Sequence, residues 1–163
     1  MRHTIAVWVQ NEFGVLTRVA NLFSGRGFNI ESLCVAPTED PEISRITMVT
    51  RGDDAVIDQI IKQLRRLLPV HRVEDMTGFA HVERELVLVK VRADDETRTE
   101  VTRLVEIFRC KIIDASHDTF VIEVTGDAGK IEAFLNLLKP MGIKEIARSG
   151  AVAMVRTAAD PDL

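Results

Sequence analysis

Apolar residues in the first half of the chain alternate and then recur at helical spacing. Ile5, Val7 and Val9 take every second position across residues 4–9, the period of a half-buried strand. After Asn11-Glu12-Phe13-Gly14, which reads as a turn, Val15, Val19, Leu22 and Phe23 fall at helical spacing, and Gly25 and Gly27 end the run. Residues 30–36 and 43–51 read as strands around the turn Thr38-Glu39-Asp40-Pro41. Gly52-Asp53-Asp54 then opens a second helix, its acids set against the N-terminal dipole, with Val56, Ile57, Ile60, Ile61, Leu64 and Leu67 as its apolar stripe. A strand over residues 70–75 closes the series in the order βαββαβ.

The same order returns after Gly78. A strand over residues 86–91 leads to a helix bearing Val101, Leu104, Val105 and Phe108. Strands over residues 111–115 and 120–125 flank the turn Ser116-His117-Asp118. Gly126-Asp127 introduces a helix with Ile131, Phe134, Leu135 and Leu138, and residues 144–155 supply one last strand. The pattern predicts an α+β chain of two tandem ferredoxin-like βαββαβ units, residues 1–78 and 79–163, each with two helices on one sheet face. The strands are apolar on both faces: Ala6 and Trp8 oppose Ile5, Val7 and Val9, and Val49 opposes Ile46 and Met48. An antiparallel sheet with one wet face carries polar residues there, so burial in an oligomer or against a larger partner is expected. The polar tail from Thr157 to Leu163 is expected to fray.

A net charge of -4, with acids and bases mixed along the chain, argues against nucleic acid or an anionic membrane as a partner. The opening Met1-Arg2-His3-Thr4-Ile5 lacks the long apolar core of a signal peptide, and no stretch reaches transmembrane length, so a cytoplasmic protein is expected. Cys34 and Cys110 are far apart and read as reduced thiols, Cys34 as a small buried hydrophobe mid-strand. Arg109 and Lys111 flank Cys110 and would lower its pKa, but no partner makes that useful. His3, His71, His81 and His117 are scattered over strand ends and turns, without metal-ligand spacing to Cys, Asp or Glu, and are expected on the surface or at strand edges. No glycine-rich phosphate loop is present. Nothing in this inventory argues for catalysis.

The segment from Asn11 to Leu16 is the candidate binding site. Gly14 sits where the chain enters the first helix and lets another group approach the backbone. The first N–H groups of that helix have no internal acceptor and carry the positive end of the dipole, a position that suits a carboxylate. Asn11 offers an amide oxygen to an ammonium and an amide N–H to a carboxylate. Asn29, just before the next strand, is expected in the same neighbourhood, and Val15, Leu16, Ile30 and Val35 supply an apolar wall. These groups suit a small aliphatic amino acid. A glycine before a helix and an asparagine in a turn also occur for purely structural reasons.

The run Asn11-Glu12-Phe13-Gly14-Val15-Leu16-Thr17-Arg18-Val19 resembles the opening of an ACT domain. The stretch from Leu22 to Leu33, Ala36-Pro37-Thr38-Glu39-Asp40, Ser44-Arg45, His81-Val82-Glu83-Arg84-Glu85-Leu86 and Ala147-Arg148-Ser149-Gly150 together resemble the acetolactate synthase (acetohydroxyacid synthase) small regulatory subunits. The resemblance implies an N-terminal ACT domain and a C-terminal ACT-like domain with no catalytic activity and no cofactor of its own. It further implies a large catalytic partner using thiamine diphosphate, magnesium and FAD, activation of that partner, and feedback inhibition by valine or another branched-chain amino acid. ACT domains pair side by side with the effector between them, which implies a homodimer through the ACT domain. The positions carried over from the motif are Asn11, Gly14, Val15, Leu16, Asn29 and Ile30.

Three other readings share the βαββαβ order. An RNA-recognition module needs stacking aromatics on its central strands, where only Trp8 is available. An acylphosphatase-type loop is opposed by the negative charge of Glu12 and by Arg18 lying a turn inside the helix. A free-standing ACT sensor regulating a different enzyme or a transcription complex is the nearer alternative.

Overall fold

The computed structural model describes residues 1–159. In chain order the elements are β1 (Arg2–Gln10), α1 (Val15–Ser24), β2 (Ile30–Pro37), β3 (Ile43–Arg51), α2 (Asp54–Leu64), β4 (Val70–Asp75), β5 (His81–Arg92), α3 (Arg98–Ile107), β6 (Lys111–Ala115), β7 (Thr119–Gly126), α4 (Ala128–Leu138), β8 (Ile143–Arg148) and β9 (Val152–Val155). The chain forms two compact units. One joins Met1–Val82 to the described chain from Ala151 onward, and the other is Glu83–Gly150. Each carries the βαββαβ order expected from the periodicity.

In the first unit the antiparallel sheet has the order β2-β3-β1-β4, which leaves β2 and β4 at its edges. Ile5, Val7 and Val9 of β1 and Ile46 and Met48 of β3 meet Val15, Val19 and Phe23 of α1 and Ile57, Ile60, Ile61 and Leu64 of α2 in one buried cluster. Burying side chains of this kind contributes about 1.5–3 kcal/mol each before chain entropy is subtracted. The Asp53 carboxylate caps α2 by accepting from the Ala55 N–H at 2.8 Å. His3, expected on the surface or at a strand edge, is buried, with Nε2 3.0 Å from Asp54 Oδ1.

The opposite face of this sheet is covered in part by the chain itself, where burial by a second copy or a larger partner was expected. The single strand anticipated over residues 144–155 is two, β8 and β9, because Gly150 adopts φ 83° and turns the chain. Residues after that turn join the first unit. Ala153 is buried with Ala6 and Met76, and Trp8 and Val155 pack against them. The Ala151 N–H donates to Ser32 Oγ at 2.8 Å, the Arg45 guanidinium donates to the Ala153 carbonyl, and the Arg156 N–H donates to the Ala80 carbonyl at 2.9 Å. Thr157–Ala159 forms a short 3-10 turn, and the remainder of the tail expected to fray lies outside the described residues.

The second unit has the strand order β6-β7-β5-β8. Val87, Val89, Val91, Ile122 and Val124 pack against Val101, Leu104 and Val105 of α3 and Ile131, Phe134, Leu135 and Leu138 of α4. Arg148 of β8 grips Glu85 of β5 in a fork, Nε to Oε1 and Nη2 to Oε2 both at 2.8 Å, and reaches Glu132 at 3.2 Å. This pair joins two of the motifs singled out in the second half of the chain. Glu85 is only 9% exposed, so removing its partner strands a buried carboxylate. Arg148→Ala is expected to cost about 1–2 kcal/mol, a figure trimmed because Arg148 is partly exposed. Arg148→Lys recovers a fraction, since an ammonium cannot fork. The midpoint of urea unfolding measures both; midpoints equal to the parent's for the two variants would rule the fork out as a stabilising contact.

Candidate functional site

β1 runs out at Gln10, whose N–H donates to the Pro69 carbonyl at 2.8 Å, and the turn into α1 begins. Asn11 ties this turn to the β2–β3 connection twice: its N–H donates to the Glu42 carbonyl at 2.7 Å and its Nδ2 to the Pro41 carbonyl at 3.0 Å. The amide N–H is thereby used within the chain, and the amide oxygen is left to accept from outside. Gly14 follows at φ 81°, in the left-handed region where glycine is strongly favoured, and serves as the N-cap of α1 without any side-chain cap. No acidic residue stands in the first turn, so the N-terminal N–H groups and their share of the helix dipole are uncompensated. A Cβ built on Gly14 meets nothing within 4 Å, which makes this an open approach to the backbone.

The six sequence-derived positions do not all gather here. Val15 is 3% exposed and belongs to the core, so its side chain cannot form part of a wall, although its backbone stays at the helix start. Leu16, on the next helical position, is 42% exposed and Phe13 is fully exposed. Asn29 and Ile30 stand at the other end of the sheet. Gln10 pairs across from Ile43, whereas Ile30 pairs across from Thr50, itself opposite His3. The seven residue steps of β3 from Ile43 to Thr50 span roughly 23 Å. Within one copy, Asn29 therefore does not share the neighbourhood of Asn11, contrary to expectation. The cause is the crossover: α1 carries the chain back so that β2 runs parallel to β1 and starts where β1 starts.

Asn29 is nonetheless firmly placed. The Thr50 hydroxyl, on a fully buried side chain, donates to its carbonyl at 2.9 Å. The Phe28 ring lies over Gly52 so closely that a Cβ there would come within 1.7 Å of Phe28 Cε1. The edge strand β2 shows a further feature. Leu33 and Val35 pair across from Met48 and Ile46, so they lie on the helix-covered face, yet they are 36% and 41% exposed. The alternation of β2 contained this signal for Leu33, whose parity matches that of Val35.

Among the described residues no group of three or more His, Cys, Asp or Glu is placed to hold a metal ion. Burial pushes the Cys110 thiol up, with Lys130 partly opposing, where the flanking bases alone would have lowered it. Cys34 is half-buried on the face away from the helices, not deep in the core. Among the described residues no helix is long and apolar enough to cross a membrane.

The βαββαβ unit whose first helix starts uncapped at Gly14 is an ACT domain: residues 5–72 match the family described as an acetohydroxyacid synthase (AHAS) small subunit-like ACT domain. Residues 84–157 match the family described as the small subunit of acetolactate synthase, and the chain belongs to that family. It is 54% identical over 156 residues to the probable acetolactate synthase small subunit of Archaeoglobus fulgidus, covering 96% of this chain and 98% of the relative. To the small subunit of acetolactate synthase isozyme 3 from Escherichia coli it is 48% identical, covering 96% of both chains. The crystal structure of the acetolactate synthase small subunit from Thermotoga maritima superposes with a TM-score of 0.87 at 47% identity, over 96% of this chain and 98% of that one.

Proposed function

We propose that this chain is a cytoplasmic regulatory subunit of acetolactate synthase, without catalysis of its own, that activates a large catalytic subunit and transmits feedback from valine or another branched-chain amino acid. The observation that carries the reading is the uncapped start of α1 at Gly14, close in the chain to Asn11, whose amide nitrogen is tied to the Pro41 carbonyl and whose amide oxygen has no hydrogen bond among the described residues. The effector carboxylate sits on the first N–H groups of α1, and its ammonium is held by amide oxygen. Thiamine diphosphate, magnesium and FAD belong to the catalytic partner and supply the carbon–carbon bond chemistry there.

The separation of Asn11 from Asn29 supports a two-copy site. β2 is an edge strand, paired only with β3 among the described strands, and it carries the exposed Leu33 and Val35. Antiparallel pairing of two β2 edges about a two-fold axis reverses one sheet against the other. Asn29 and Ile30 of one copy then come beside residues 11–16 of its partner, and Leu16, Ile30 and Val35 form the aliphatic wall. Effector binding stabilises one dimer arrangement, and the catalytic subunit prefers another. The shift is limited to the ligand's differential affinity for the two.

The deciding experiment is co-purification of the tagged chain with a thiamine-diphosphate enzyme, followed by an acetolactate assay with and without valine. Capture of a different enzyme or a transcription complex would replace this reading with that of a free-standing sensor. A second expectation concerns the placing of Asn29. Gly52→Ala drives a methyl group into Phe28 and displaces the neighbouring Asn29, at a cost of about 1–3 kcal/mol in stability. Calorimetry should show weakened valine affinity, recovered in the Gly52→Ala, Phe28→Leu double variant. Unchanged affinity in Gly52→Ala would remove Asn29 from the site.

A further inference from the structure

The face of the first unit's sheet away from α1 and α2 carries a cleft of about 360 Å3, bounded by Ala36 and Pro37 on one side and by Val152 and Met154 on the other. A row of three side chains crosses the sheet beneath it. Arg45 of β3 and Arg72 of β4 are both in register with Trp8 of β1, and each guanidinium carbon lies 4.8 Å from the centre of the indole. Arg72 has Glu74 at 3.4 Å. Arg45 lines the cleft and differs from Arg72: its Nη2 donates to the Ala153 carbonyl, while its Nε is buried without an acceptor, and no carboxylate among the described residues forms an ion pair with it.

A half-buried guanidinium without an ion-pair partner is a costly arrangement unless something completes it. Burial pushes the Arg45 pKa down, an effect that the field of Glu74 partly offsets and that of Arg72 reinforces. A carboxylate in the cleft supplies the opposite charge that Arg45 lacks at contact distance. Trp8, Ala36, Pro37, Val152 and Met154 give the cleft apolar wall enough for an aliphatic body, and Cys34, Thr38 and Thr47 complete its lining. Glu39 also lines the cleft and repels a doubly charged anion. We propose that this cleft binds a small monocarboxylate, its carboxylate on Arg45 and its aliphatic body between Trp8 and the side chains of Val152 and Met154. The site lies on the sheet face opposite α1 and is separate from the effector position at Gly14.

Trp8 is the only tryptophan in the chain, so its emission reports on the cleft directly. The full chain is titrated with cyclohexanecarboxylate, with its neutral isostere cyclohexanecarboxamide, and with inorganic phosphate. The acid is expected to change Trp8 emission saturably, and the amide and phosphate are not. Arg45→Met should weaken the acid by about tenfold or more, the loss of a charge-assisted hydrogen bond. Because Arg45 also holds Ala153, Val152→Asp provides an independent arm: it places a charge at an exposed lining position without touching Arg45, and should abolish the response at an unchanged Tm. Gly14→Asp should leave the response intact, which separates this site from the effector reading. An equal response to the amide, an undiminished response in Val152→Asp, or a response only to an acidic peptide would each overturn the proposal.

Discussion

Gly14→Asp is expected to weaken the proposed valine binding by about a hundredfold or more, measured by calorimetry, while activation of the catalytic subunit is largely kept. The size of the effect follows from where the new carboxylate sits. An Asp here sets a side chain and a negative charge beside the first-turn N–H groups, at the position that the effector carboxylate would use. It also adds a like charge at contact distance, and lost charge-assisted hydrogen bonds alone account for most of the hundredfold. A Cβ at this position meets nothing within 4 Å, but the left-handed φ of 81° strains any side chain and costs Asp about 1 kcal/mol, a fall in Tm of about 4–8 °C. Gly14→Asn adds the bulk without the charge and should give an intermediate loss. Normal valine affinity in the Asp variant would exclude the start of α1 as the effector position.

Removing residues 151–163 lowers the stability of the first unit by about 3 kcal/mol, seen as a fall in its Tm of about 10 °C or more. The estimate rests on what the segment covers. Met76 and Ala6 are fully buried beneath Ala153, and Trp8 packs against the same cluster. The truncation also takes away the Ala153 carbonyl from Arg45 and the Ala151 N–H from Ser32. Ala153→Asp, which forces a charge into a position 3% exposed, should act in the same direction within the intact chain. A truncated chain melting at the temperature of the full one would show that the segment adds no stability. Conversely, a domain boundary cut at the end of the first βαββαβ pattern would leave this face bare.

Much of this was legible in the chain as written. Alternation in β1 and β3, the helical stripes of α1 and α2, and the acids at Asp53 and Asp127 that cap the even-numbered helices are local signals, and they placed the elements. The position of Gly14 at the entry to α1 was readable as well, while its left-handed conformation is a finding of the structure. Val15 shows the limit. Its place on the buried stripe with Val19 and Phe23, visible in the helical periodicity, turns its side chain to the core.

The sequence by itself determined the two βαββαβ frames, the open N-terminus of α1 and the identity of the groups around it. These depend on residues within a turn or two of one another. Only the tertiary structure decided that Asn29 stands at the far end of the sheet from Asn11, and that the segment after Gly150 returns to cover Ala6 and Met76. The first follows from the handed crossover that makes β1 and β2 parallel, and the second from pairings more than a hundred residues apart, such as Ser32 with Ala151. Local pattern specifies which face a residue presents. Chain path in three dimensions decides which other face it meets.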